Sequence, residues 1–162
     1  MYDERLQISM GGEAMLAGLR AGAAIVTPNE SEAEELVGQE FGDRQDLVHG
    51  LSELVRLGAR EAAITRPDGC VAAIGEGAEQ RIVEVRTEPL EPVSTVGSGD
   101  AFLAGYAAAR YEGRPAEDCL AYGVACGAES TQHFGAGVVD RGQVERLLGE
   151  VHVQDLEVPA EV

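Results

Sequence analysis

The residues best suited to chemistry lie in one short segment, Gly97-Ser98-Gly99-Asp100, just before an apolar helical pattern. Two of these residues carry no side chain, and bare backbone N–H groups at a helix N-terminus form a site for an anion. A carboxylate in the first turn lies beside that anion, which is unfavourable unless the carboxylate has a role. The segment therefore predicts an anion-binding loop in which Asp100 is functional. The alternative is a glycine-rich turn in which Asp100 only complements the helix dipole.

The elements that position this segment can be inferred from the spacing of apolar residues. That spacing predicts helices in GGEAMLAGLRAG, ESEAEELVG and DRQDLVHGLSELVRLG, and over residues 100–111, 115–131 and 141–148. Strands are predicted in AAIVTPNE, on both sides of a Pro-Asp-Gly turn in AREAAITRPDGCVAAIGEG, in EQRIVEVRT and, as a last edge strand, in VHVQDLEV. Together these elements predict an α/β fold in which helices cover a sheet.

The composition favours one domain in the cytoplasm. The 162 residues include 29 acidic and 12 basic side chains, all 12 of them arginine, and the formal net charge is −17. Recognition of a nucleic-acid backbone needs a basic face, so no nucleic-acid partner is expected. No run reaches the roughly 18 apolar residues of a membrane span, so no membrane partner is expected. The N-terminal MYDERLQISM also lacks the apolar core of a signal peptide.

The cysteines and histidines do not predict a metal site. Cys70, Cys119 and Cys126 form no CxxC pair and have no histidine nearby at ligand spacing. They are expected to be small buried residues in a reducing compartment. The three histidines are scattered, and each is expected to be solvated or packed rather than a ligand.

Four segments occur in the order found in ribokinase-like sugar kinases, the phosphofructokinase B family: GGEAMLAGLRAG, TPNESEAEELVG, STVGSGDAFLAGY and FGAGVVD. The chain most resembles the branch of 1-phosphofructokinases and tagatose-6-phosphate kinases. The resemblance extends over nearly the whole chain but matches only the C-terminal half of such an enzyme. It implies a ribokinase-like α/β fold, with residues 1–162 as a single partial domain that forms the C-terminal part of a helix-flanked sheet.

The resemblance assigns roles to the glycine-rich loop. In this family the loop forms an anion hole and its aspartate is the catalytic base. By resemblance, Gly97, Ser98 and Gly99 cradle the transferring phosphoryl group, and Asp100 accepts the proton of the sugar hydroxyl. Phosphoryl transfer depends on positioning, charge stabilisation and an oriented nucleophile, which is the chemistry that such a loop offers. Ser98 stands where alanine is commoner, a mild departure.

A second implied group organises magnesium. Asn29 and Glu32 match the family's Asn-x-x-Glu element, which helps to hold Mg²⁺, usually through water, beside phosphate. Magnesium keeps several waters, so one amide and one carboxylate suffice. Both residues also fit a structural interpretation, in which Asn29 caps the helix and Glu32 occupies its third position. The two interpretations are compatible.

The nucleotide contacts implied by the resemblance are less regular. Thr65 and Gly69 bound the segment TRPDG, where the family has a turn that contacts nucleotide phosphates. Here the turn is one residue shorter and Pro67 offers no N–H donor, so an ordinary hairpin turn is an equal alternative. Many relatives carry a lysine where this chain has Thr27, and the lost charge weakens ATP binding unless Arg66 replaces it.

Two residues near the end of the chain complete the implied nucleotide site. His133 begins HFGAG, which resembles the segment that closes over the nucleotide, and Cys126 lies on a helix near the adenine pocket. Most of that helix is expected to be core.

These inferences lead to an expected function and one alternative from another class. The chain is expected to be a fragment of an ATP- and Mg²⁺-dependent sugar-phosphate kinase that phosphorylates a ketose phosphate such as fructose 1-phosphate. The alternative is a non-catalytic nucleotide- or anion-binding module, or a degenerate remnant, because the sugar-binding and lid half is not in these residues. The isolated chain is expected to lack kinase activity and to self-associate through an exposed sheet edge.

Overall fold

The computed structural model describes residues 12–157 of the chain. Within that range the helices are α1 Gly12–Arg20, α2 Glu30–Val37, α3 Arg44–Arg56, α4 Ser98–Tyr111, α5 Ala116–Ser130 and α6 Arg141–Leu148. The strands are β1 Ile25–Val26, β2 Glu61–Arg66, β3 Gly69–Ile74, β4 Arg81–Arg86 and β5 His152–Leu156. Each corresponds to an element that the sequence predicts. The expectation about MYDERLQISM lies outside the described residues.

The strands form a single mixed sheet in the order β1-β2-β3-β4-β5. β1 and β2 are parallel, with Ile25 opposite Glu61 and Val26 opposite Ala62. Only Pro67 and Asp68 connect β2 to β3, and a two-residue connection joins antiparallel strands. β1 and β5 are the edge strands, so the sequence-based prediction of a last edge strand is confirmed.

The chain divides into two compact units. Over the described residues, the first comprises 12–65, 71–84 and 155–157. Its core is built from the apolar faces of α1, α2 and α3 and from β1, β2 and β3, and its fully buried side chains include Leu19, Leu51, Leu54 and Ile64. The stripe that the sequence predicts on α3 therefore faces the core. Arg44 bonds Glu84 at 3.2 Å, which pairs the buried carboxylate of β4 with a half-exposed guanidinium.

The second unit comprises Arg66–Cys70 and Val85–Gln154. Its centre is the pair α4 and α5, whose close approach depends on glycines. A Cβ on Gly105 of α4 would lie 2.7 Å from the Sγ of Cys126, and one on Gly123 of α5 would lie 2.9 Å from the carbonyl oxygen of Phe102. Since side chains of ordinary size would separate these helices, the small residues that dominate this part of the sequence determine the packing.

Cys70, Cys119 and Cys126 are buried, as the sequence predicts. Over residues 12–157, no helix combines the length and the apolar character that crossing a membrane requires.

Candidate functional site

The glycine-rich loop forms the start of α4. Gly97 is the N-cap residue, with a φ of 81° and no side-chain cap, and the helix itself begins at Ser98. The first-turn amides of a helix have no intrahelical partner and can bind an anion. In this helix the N–H of Ser98 donates to the carbonyl of Thr95 at 3.3 Å. Gly97, Ser98 and Gly99 are half-buried, whereas Asp100 is exposed. The geometry is therefore an uncapped helix N-terminus with a solvent-accessible carboxylate in its first turn.

The left-handed conformation of Gly97 fits its surroundings. A Cβ at this position would lie 2.7 Å from the Cβ of Ala136 and 3.0 Å from its Cα. Both the backbone angle and the neighbouring segment thus require glycine here. The residues before the loop are also held, because the N–H groups of Val93 and Ser94 both donate to the carbonyl of Thr131, at 2.8 and 3.0 Å.

In the first unit, Asn29, Glu32 and Thr65 lie together where two parallel strands end. Asn29 pairs with Thr65 in a single parallel bridge just beyond β1, and the Thr65 N–H donates to the carbonyl of Pro28 at 2.9 Å. The N–H of Glu32 donates to Asn29 Oδ1 at 2.9 Å, and the N–H of Asn29 donates to Glu32 Oε2 at 2.9 Å. The capping box expected as the structural interpretation is therefore present. In α/β sheets, ligands bind at the carboxyl ends of strands, where this group lies.

The donor set beside Asn29 fits a hydrated magnesium ion rather than a protein cage. Across the described residues, no three His, Cys, Asp or Glu side chains cluster as a metal would require. The capping box uses one oxygen of the Glu32 carboxylate. Thr27, at the end of β1, is 4% exposed, and its hydroxyl lacks a hydrogen-bond partner among the described residues. An unsatisfied buried hydroxyl next to this strand end is consistent with a polar ligand.

Gly69 has a clear structural role in the β2–β3 hairpin. Its φ is 144°, and a Cβ would lie 1.9 Å from the carbonyl oxygen of Val85 on β4. The neighbouring Asp68 bonds Arg86 at 2.8 Å and accepts the N–H of Thr87 through its carbonyl. The hairpin interpretation of TRPDG thus describes the geometry, and the phosphate contact of Thr65 and Gly69 stays a prediction.

Cys126 and His133 lie near the end of α5. Cys126 is 6% exposed, and burial, followed by the charge of Glu129, raises the pKa of its thiol to about 11. His133 is one-third exposed, and its Nε2 lies 2.6 Å from Oε1 of Glu129. The expectation that His133 is packed or solvated is compatible with this position, and the nucleotide contacts of both residues stay predictions.

Glu129 is a residue that the sequence analysis did not single out. It is 2% exposed, and its second carboxylate oxygen accepts the N–H of Asp140 at 3.0 Å. One sequence signal could have indicated it: an acidic residue in the last turn of an apolar helix opposes the helix dipole and needs an explanation.

Comparisons with known proteins point to one family. Residues 7–140 match the pfkB family of carbohydrate kinases. The chain is 27% identical over 154 residues to a 1-phosphofructokinase from Borreliella burgdorferi, covering 95% of this chain and 49% of that protein. It is 25% identical over 146 residues to the ATP-dependent 6-phosphofructokinase isozyme 2 of Escherichia coli, covering 88% of this chain and 46% of that protein.

A solved structure supports the same fold. Phosphofructokinase-2 from Escherichia coli, in complex with potassium, matches with a TM-score of 0.76 and 26% identity over 86% of this chain and 45% of that one. The ribokinase-like fold inferred from the sequence is therefore confirmed. The chain spans about half the length of the curated relatives that it matches.

Proposed function

The chain belongs to the pfkB family of carbohydrate kinases, and we propose that it provides the phosphoryl-binding loop and the base of an ATP-dependent sugar-phosphate kinase. The observation that carries the proposal is the start of α4, where first-turn amides without a side-chain cap and the exposed carboxylate of Asp100 occur together. The names of the relatives support ATP as the donor and a fructose phosphate as the acceptor. The proposed reaction moves the γ-phosphoryl group to a hydroxyl of a ketose phosphate such as fructose 1-phosphate.

Each residue of the loop has a proposed part in that reaction. The amides of Gly97, Ser98 and Gly99 stabilise the charge that develops on the phosphoryl oxygens. Asp100 accepts the proton of the attacking hydroxyl, which makes the oxygen a better nucleophile. The exposure of Asp100 leaves its carboxylate accessible to a substrate, as this role requires.

The remaining residues are proposed to bind the nucleotide and its ion. Asn29 and Glu32 hold Mg²⁺ through water while they keep their capping bonds. When bound, the ion neutralises phosphate charge, which matters in a chain with a net charge of −17. Thr65 and Gly69 are assigned to the phosphates, and Cys126 and His133 to the rest of the nucleotide.

A second candidate function is a nucleotide- or anion-binding module without catalysis. It is favoured by Pro67, which removes an N–H donor from the hairpin turn, and by Thr27, which provides no charge where relatives have lysine. The two candidates differ in whether a bound nucleotide is ever transferred to a sugar.

The experiment that tests the proposal has two arms on the 162-residue chain. Calorimetric titration with ATP is expected to show binding with Mg²⁺ and much weaker binding without it. A coupled assay with Mg²⁺, ATP and either fructose 1-phosphate or fructose 6-phosphate is expected to show no turnover, because positioning both substrates accounts for about 7–11 kcal/mol of the barrier. Absence of nucleotide binding contradicts the proposal. Turnover of roughly 1–100 s⁻¹ shows that these residues also contain an acceptor site.

We also propose that the chain self-associates and acts in the cytoplasm, where ATP and sugar phosphates are available. β5 is an edge strand and its residues His152 to Asp155 are exposed, so its backbone groups can pair with another strand. Sedimentation equilibrium of the chain is expected to show species heavier than 17.0 kDa. A purely monomeric profile at high concentration contradicts this part.

A further inference from the structure

A buried carboxylate at the end of α5 is not explained by the fold of that helix. Glu129 is 2% exposed and lies in the last turn of α5, Ala116–Ser130. The negative end of the helix dipole disfavours an acidic residue here, and burial of a carboxylate is costly unless hydrogen bonds compensate. The contacts of Glu129 therefore indicate what the residue is for.

Both oxygens of Glu129 bind the segment that connects α5 to α6, residues 131–140, named here the α5–α6 loop. Oε1 lies 2.6 Å from Nε2 of His133, near the start of the loop. Oε2 accepts the backbone N–H of Asp140 at 3.0 Å, at the loop's end. Asp140 is also the N-cap of α6. A single buried side chain thus closes the loop at both ends.

The α5–α6 loop in turn supports the residues that lead into the phosphoryl-binding loop. The carbonyl of Thr131 accepts the N–H groups of Val93 and Ser94. The side-chain Nε2 of Gln132 donates to the carbonyl of Glu91 at 3.2 Å. Further along, Ala136 lies where a side chain on Gly97 would be, 2.7 Å from the position of its Cβ. The segment 91–97 is therefore supported by the α5–α6 loop at its start and at its end.

We propose that Glu129, acting with His133, is a positioning residue that keeps the start of α4 in its anion-binding geometry. Glu129 holds the α5–α6 loop, and that loop holds segment 91–97. The amides of Gly97 to Gly99 therefore have their binding orientation before the ligand arrives. Donors that are fixed beforehand stabilise charge more effectively than donors that must reorganise. The consequence for ATP rests on the proposed function, whereas the structural coupling does not.

The coupling is tested by ¹⁵N relaxation on the 162-residue chain. The backbone order parameters of Gly97, Ser98 and Gly99 are expected to be about 0.85 in the unchanged chain and to fall below about 0.6 in Glu129→Ala. Glu129→Gln is expected to restore them, because its amide can accept the Asp140 N–H and donate to His133. Glu145→Gln is the matched control, since it removes an exposed acidic side chain that pairs with Arg141 on α6.

The order parameters of α3 show whether the fold persists in each variant. If Glu129→Ala does not fold, His133→Ala takes its place, because it removes only one of the two bonds and the residue is one-third exposed. The proposal is overturned if residues 131–140 become mobile while Gly97 to Gly99 keep their values. It is also overturned if the order parameters of Gly97 to Gly99 fall as far in Glu129→Gln as they do in Glu129→Ala.

A titration with Mg²⁺ and ATP separates this proposal from the proposed function. Glu129→Ala is expected to bind ATP at least about fivefold more weakly, and Glu129→Gln within about twofold of the unchanged chain, as for other pre-organised donors. If Gly97 to Gly99 become mobile in Glu129→Ala but the variant binds ATP as tightly as the unchanged chain does, the proposed effect on ATP binding is overturned. If the unchanged chain binds no ATP, the proposed function fails, and the order parameters still decide the coupling.

Discussion

The N-termini of α2 and α4 are built in opposite ways. At α2, Asn29 and Glu32 form a reciprocal capping box, and both satisfy backbone donors of the helix. At α4, Gly97 provides no side-chain cap, and Asp100 is exposed. α3 resembles α2, with Asp43 and Asp46 in the same reciprocal arrangement. Capping therefore accounts for Asn29 and Glu32 at α2. At α4 no side chain caps the first-turn amides, and the N–H of Ser98 donates to the carbonyl of Thr95.

The contrast shows where a functional inference from geometry is strongest. A capping residue such as Asn29 is already explained by about 1 kcal/mol of helix stability. α4 has glycine at its N-cap, Gly97, and therefore no side chain that could form such a cap. The uncapped start of α4 is thus the better indicator of a ligand site, and the magnesium role of Asn29 needs a test that separates it from capping.

The largest expected effect comes from removing the base at α4. In a polypeptide that joins this chain to a sugar-binding half, Asp100→Asn is expected to lower turnover by about 10²–10⁴-fold, because an amide cannot accept the hydroxyl proton. ATP affinity is expected to stay unchanged, since the backbone of the loop is the same. Initial rates at saturating fructose 1-phosphate measure the effect. Turnover near that of the unchanged protein would remove Asp100 from this role.

The next effect tests whether the bare start of α4 is required by its neighbours. Gly97→Ala is expected to lower the free energy of unfolding by about 2–3 kcal/mol. The substitution forces an alanine into the left-handed backbone conformation and brings its Cβ into close contact with Ala136. Gly113→Ala is the control, since its φ is 77° and its Cβ position is open. The control is expected to lower the free energy of unfolding by about 1 kcal/mol, which is the cost of the left-handed backbone conformation without a close contact. Urea denaturation measures both, and equal losses would show that the contact with Ala136 is unimportant.

A smaller effect separates capping from magnesium binding at α2. Asn29→Ala and Asp43→Ala each remove the cap of one helix, so each is expected to lower the free energy of unfolding by about 1 kcal/mol. Only Asn29→Ala is expected to weaken Mg²⁺-dependent ATP binding. Urea denaturation and calorimetric titration are run on both variants. If the two bind ATP equally well, Asn29 is a capping residue and nothing more.

The smallest effect concerns Cys126, which packs against Gly105 of α4. Burial is the main cause that raises the pKa of its thiol to about 11, and the charge of Glu129 adds to it. Since the thiolate is the reactive form, alkylation at pH 8 is expected to be slow. Glu129→Gln removes only the charge of Glu129, so the pKa of the Cys126 thiol falls. The alkylation rate of Cys126 then rises by less than about tenfold, which corresponds to one pKa unit. Mass spectrometry of each cysteine measures the rate, with buried Cys119 as the reference for global opening.

Much of the fold follows from the sequence because its signals are local. Pro-Asp-Gly predicts the β2–β3 hairpin, Gly38 ends α2 in the left-handed conformation expected of a cap, and the helical stripe on α3 identifies its buried face. The glycine-rich start of α4 could be predicted for the same reason, since its signal lies within four consecutive residues, and its role as an anion site stays a proposal. Periodicity, capping and turn chemistry depend on neighbours a few positions apart, so one sequence contains them.

The tertiary structure alone decided which segments meet. Nothing local shows that β5 extends the sheet beside β4, that Ala136 lies against Gly97, or that Glu129 binds both ends of the α5–α6 loop. The sequence shows Glu129 only as an acidic residue in an unfavourable position, and its hydrogen bonds exist once α5 and α6 have packed. The sequence by itself therefore determined the helices and strands and the glycine-rich start of α4. Packing between residues far apart in the chain determined how that loop is held, because those contacts form only when the whole core does.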